Sequence, residues 1–166
     1  MLRSTHFAIS PDHATRLLDL ETGKDRLKLL QTDIAPHMFQ SEGEMTCITE
    51  YAWNTVHRCL TDGYLKWDNG TPPRNQVILG GENLYERDDF VMLLKDPRMV
   101  RGVAYALQNI TKLWMAAGYK TIPPSDYEFT KSEDDFEIAW DALLEVKRLF
   151  DVAGRNGRYI LFTVEQ

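Results

Sequence analysis

The chain has 166 residues, a formal net charge of -6, 43% apolar and 27% charged residues, and only two cysteines. That is enough chain for one domain with its own core, and it excludes a largely disordered chain, a small disulfide scaffold and a phosphate-seeking basic surface, so nucleic acid is not an expected partner. Thr5 to Ile9 read as a short strand, and Ser10-Pro11-Asp12 open a helix that buries Ala14, Leu17 and Leu18. Lys24 to Gln31 suggest a second short helix, and residues 33–46 read as irregular. A helix from about Thr49 to Leu60 places Trp53 and His57 four residues apart on one side. Residues 61–76 form a long loop rich in turn signals, and Val77-Ile78-Leu79 is expected to be a buried strand closed by Gly80-Gly81. After an acidic loop, Asp96 and Pro97 start a helix expected to run to 117 and stop at Gly118. A second long connection spans 118–131. Ser132 with Asp135 resembles a capping box, and the helix it opens carries Phe136, Trp140, Leu143, Leu144 and Phe150 before ending near Gly154. Tyr159 to Val164 are the strongest strand.

Few strands and several helices predict a compact α+β domain: a small mixed sheet packed on helices, two of them long and amphipathic. No repeat, linker or low-complexity tract divides it, so residues 1–166 are expected to be a single domain. Cys47 and Cys59 are read as buried free thiols. No secretory signal is visible and no apolar run reaches the length of a membrane span, so a cytoplasmic protein without a membrane partner is expected.

Four features carry candidate chemistry. Trp53 and His57 can form a ligand-stacking or general-base pair, against the plainer reading of a helix face whose imidazole meets a backbone carbonyl. Gly80-Gly81 can present backbone N–H groups to an anion, or simply turn the chain, and no P-loop lysine or further glycine pattern follows. The acidic set Glu82, Glu86, Asp88 and Asp89, beside Tyr85 and Phe90, suits a basic protein partner. Finally, Tyr64, Trp67 and Tyr127 place aromatic side chains on the two long loops, where anchors of protein interfaces are found. Nucleophile motifs and zinc spacings are missing, and no cofactor or metal is expected.

The chain resembles the YfbM-like family of bacterial domains of unknown function. The resemblance covers nearly the whole chain. It rests on the first strand entering Ser10-Pro11, on Trp53-Asn54-Thr55-Val56-His57-Arg58-Cys59-Leu60, on Ile78-Leu79-Gly80-Gly81, on Pro97 to Ile110, and on the last helix running into Tyr159-Ile160-Leu161. It implies one α+β domain and no assigned reaction. This chain departs from the usual Leu-Asp-Lys approach to the tryptophan, having Ile48-Thr49-Glu50-Tyr51-Ala52, and loop 61–76 looks individual.

Two functions follow as expectations. The first is a non-catalytic protein-binding module, concretely an immunity or antitoxin-type inhibitor that blocks a toxin's basic cleft through Glu82, Tyr85, Glu86, Asp88, Asp89, Tyr64, Trp67 and Tyr127. The second is a small-ligand protein or enzyme with a pocket near Trp53, His57, Gly80 and Gly81. A homo-oligomer using the same aromatic loops is a third arrangement.

Overall fold

A computed structural model describes residues 3–166. Its sheet contains β1 (Ser4–Ile9), β2 (Thr46–Ile48), β3 (Glu82–Asn83), β4 (Phe90–Lys95) and β5 (Tyr159–Glu165). Their spatial order is β2-β1-β5-β4-β3. Every neighbouring pair is antiparallel, so the sheet is not mixed as expected. The last strand returns between β1 and β4 and runs against both.

Helices cover both faces, which makes the fold α+β in three layers. On one face α1 (Pro11–Leu18), α2 (Gly23–Leu29), a π-helical turn (Leu30–Ile34) and α3 (Ala35–Ser41) enclose Phe7, Ile9, Met92, Leu94 and Leu161. On the other, α4 (Ala52–Leu60), α5 (Pro97–Leu107), α6 (Lys112–Lys120) and α7 (Glu133–Arg155) enclose Ala8, Val91, Leu93, Ile160, Phe162 and Val164. A strand buried on both faces reads as a continuous apolar run, and Val91-Met92-Leu93-Leu94 is such a run. It forms the strand beside β5, where the sequence suggested only the end of a loop. Val77-Ile78-Leu79, expected as the strand, is instead a buried non-strand segment following a 3₁₀ turn at Arg74–Gln76. Residues 33–46, expected to be irregular, hold α3, a 3₁₀ turn at Gly43–Met45 and the first residue of β2.

The helix starts follow the expected chemistry. Ser10 accepts from the His13 N–H, and Asp96 accepts from the Met99 N–H at 2.8 Å. The helix expected over 97–117 is two helices, because Thr111 accepts from the Trp114 N–H and starts a new one. Gly118 lies inside α6 rather than ending it. A Cβ there would sit 2.3 Å from the Cys59 carbonyl oxygen, so this glycine lets α6 press on the end of α4. Gly118→Ala is expected to destabilise the fold by about 1–3 kcal/mol in urea unfolding, and an unchanged midpoint would be incompatible with this approach.

Candidate functional site

The groove that best combines the expected binding residues lies at the β3–β4 end of the sheet. It has a volume of about 290 Å³, and its walls include Trp67, Asn83, Tyr85, Glu86, Asp88 and Phe90. Trp67, from loop 61–76, is 56% exposed. Tyr85 is buried and only borders the groove, meeting Phe90 edge to face with centroids 5.8 Å apart. The Asn83 side-chain oxygen accepts from the Tyr85 N–H at 3.1 Å and fixes the turn out of β3. Glu86 accepts from the Gly23 N–H at 3.1 Å, tying the acidic segment to the start of α2. Arg87 also lines the groove, reaching Asp89 at 3.8 Å in an exposed pair that adds little stability.

The expected binding residues therefore divide. Trp67, Tyr85, Glu86 and Asp88 come together with Phe90, which the sequence set beside the acidic residues, and Asn83 and Arg87 join them unannounced by the sequence. Glu82 and Asp89 are exposed beside the groove without lining it. Tyr64 is exposed, with the Lys66 ammonium 5.2 Å from its ring centroid. Tyr127 does not belong to a binding surface. It is buried and donates to Asp135 Oδ2 at 2.8 Å, so the Thr55 hydroxyl donates to it at 2.6 Å.

Trp53 and His57 are interior residues. Every residue of α4 is buried, and His57 is 1% exposed. His57 Nε2 lies 3.0 Å from both the Lys66 carbonyl oxygen and Asn69 Oδ1, and since the carbonyl can only accept, Nε2 is the donor. Burial holds the His57 pKa below its ordinary value, against the opposing pull of the Asn69 and Lys66 contacts. Trp53 packs on Phe162 with ring centroids 5.8 Å apart. Gly80 and Gly81 are close-approach residues: a Cβ would meet Gln76 at 2.5 Å in the first and the Leu94 carbonyl oxygen at 2.3 Å in the second, where φ is +103°.

Residues 2–163 match the family described as domain of unknown function DUF1877. The chain belongs to this family. A solved structure with a similar fold, YfbM from Escherichia coli, described as a protein of unknown function, is 16% identical with a TM-score of 0.67, covering 99% of each chain. No curated protein matches.

In this DUF1877 domain, the motif around Trp53 is architectural. Asn54, Thr55, His57 and Arg58 each reach from α4 into one or both long loops. Arg58 donates to Asn54 Oδ1 at 2.8 Å, the Gly63 carbonyl at 3.1 Å, Asp126 Oδ2 at 2.8 Å and the Asp126 carbonyl at 2.9 Å. Asn69, itself held by His57, donates to Asp62 Oδ1 at 2.6 Å and to the Tyr64 carbonyl at 2.9 Å. Lys131 donates to the Tyr119 and Ile122 carbonyls at 3.0 and 2.9 Å. Asp135, expected to complete a capping box, instead accepts from the Tyr119 and Tyr127 hydroxyls, and burial followed by that carboxylate pushes the Tyr119 pKa up. Burial also raises the thiols, Cys47 to about 11 and Cys59 to about 12, which leaves both protonated and unreactive at neutral pH. Among the described residues no group of three or more His, Cys, Asp or Glu is placed to hold a metal ion, and no helix is long and apolar enough to cross a membrane.

Proposed function

We propose that this domain is a non-catalytic protein-binding module whose groove receives a basic segment of a partner. The observation that carries this reading is the meeting of an exposed Trp67 with the acidic, aromatic segment at Tyr85, Glu86 and Asp88. A guanidinium or ammonium group fits such a place, since an indole face and carboxylates attract it together. The net charge of -6 draws a basic partner at longer range. In its concrete form the module is an immunity or antitoxin-type inhibitor that occupies the partner's active site. It works in the cytoplasm, where Cys47 and Cys59 stay reduced.

Joint replacement Asp88→Lys and Asp89→Lys tests this. Both side chains are exposed, so the melting temperature is expected to stay the same. Affinity for the partner captured by the unaltered protein from its own cell lysate should fall about 10- to 100-fold, with a weaker salt dependence. Retention of the same partner by the variant at the same ionic strength would remove the groove from the interface.

A further inference from the structure

Lys95 ends β4 with its side chain pointing into the protein interior, 0% exposed. Its Nζ donates to the Ile78 carbonyl oxygen at 2.9 Å, and the Phe162 ring centroid lies 5.7 Å away. No other hydrogen bond satisfies this amine among the described residues. His6 on β1 stands opposite Phe162 in the strand register, with ring centroids 4.6 Å apart. It is also 0% exposed, and neither ring nitrogen has a hydrogen-bond partner.

No carboxylate compensates these two bases. Burial alone depresses the Lys95 pKa, to about 7. For His6, burial and then the Lys95 charge bring it to about 3, and a contact from the Val77 backbone pulls weakly the other way. On β5 the neighbours are Ile160 and Phe162, and the segment Val77–Gly81 brings apolar side chains and backbone. The adjacent Asp96 carboxylate is taken by the Met99 N–H at the start of α5.

Segment 77–81 rests on this lysine. The Ile78 carbonyl is its hydrogen-bonded foot, and a Cβ on Gly81 would stand 3.1 Å from Lys95 Cγ. The segment runs directly into β3, whose Asn83 forms part of the Trp67 groove.

We infer that Lys95 is a pH-sensitive latch on residues 77–83, closed while its amine is neutral and loosened when that amine takes a proton. A neutral amine is served by one carbonyl acceptor. An ammonium brings three donors and a full charge to a place with one acceptor and a ring face, so protonation favours any state that lets water in. The transition lies near neutral pH, and His6 stays neutral until far more acidic conditions. The latch is a property of the free protein. Its control of partner binding rests on the groove reading above.

Amide hydrogen exchange of the protein alone tests it, with protection factors corrected for intrinsic exchange. The amides that pair β3 with β4, together with that of Leu84, which donates to the Met92 carbonyl, are expected to lose protection about tenfold or more between pH 8.5 and pH 6, while α1 and α3 hold theirs. Lys95→Met is expected to make the segment's protection independent of pH over this range, whereas His6→Phe should leave the dependence in place. Equal protection at both pH values in the unaltered protein, or an undiminished dependence in Lys95→Met, would overturn the latch. Should that variant fail to fold, the ¹³Cε resonance of Lys95 decides: a midpoint near 7 supports the latch and one near 10.5 ends it. None of these readouts involves a partner, so an empty groove and a failed latch are separate results.

Discussion

Lys95→Met is expected to raise the stability of the protein by about 2–4 kcal/mol at pH 6, and to give no gain or a loss at pH 10. In the unfolded chain the amine holds its proton up to about 10.5, and in the folded protein only up to about 7. Between those values the unfolded state binds more protons, so folding stability rises with pH through that window. Below it the whole penalty is present, equivalent to about 5 kcal/mol. Methionine fills a similar volume without it. The opposing effect is the Ile78 carbonyl, which loses its donor at about 1–3 kcal/mol. Urea unfolding at pH 6, 8 and 10 measures the difference. A variant less stable at pH 6, or a gap that does not shrink toward pH 10, would mean that Lys95 is not the buried, lightly bonded base described. His6 acts in another range: its depressed pKa removes stability as the pH falls from about 6.5 toward 3, and the effect is smaller in Lys95→Met, where the Lys95 charge no longer adds to the depression.

How far the sequence announces this structure depends on how local each signal is. Ser10-Pro11 and Asp96-Pro97 fix helix starts through contacts three residues away, and both are where the sequence puts them. Tyr159 to Val164 alternate between the two cores and form the central strand. The choice between Val77-Ile78-Leu79 and Val91-Met92-Leu93-Leu94 is not local. Both are short apolar runs, and only register with β5 makes the second a strand. The break at Thr111 is hidden because its neighbours Leu107, Ile110 and Trp114 continue an apolar helical face across it. In the groove, the acidic and aromatic character of residues 82–90 is readable, but their meeting with Trp67 is tertiary. Lys95 carried a weak signal, a lysine closing an apolar run before a helix cap. The aromatic loops misled in one respect: Tyr127 is on a long loop yet faces inward, because Asp135 and Thr55 give its hydroxyl buried partners.

Arg58→Ala is expected to destabilise the protein by about 3–5 kcal/mol, lowering the melting temperature by roughly 10 °C. The guanidinium is 4% exposed and its donors point at four oxygens on α4 and both long loops. Truncation strips a donor from the Gly63 and Asp126 carbonyls and from Asn54 while opening a void. Asp126 is half-exposed and can turn to water, which holds the loss toward the lower end. Arg58→Lys should recover only part of it, since an ammonium cannot reproduce the planar fork. The consequence for function is indirect. Gly63 belongs to the loop that carries Trp67, so releasing it should loosen the groove wall and weaken partner binding without removing any contacting atom. Limited proteolysis reads this directly, as new cleavage within residues 61–76 and 118–131. A variant with an unchanged melt and intact loops would refute the architectural role assigned to Arg58, and the meaning of the Trp53 to Leu60 motif would then have to be sought in chemistry rather than in the loops it holds.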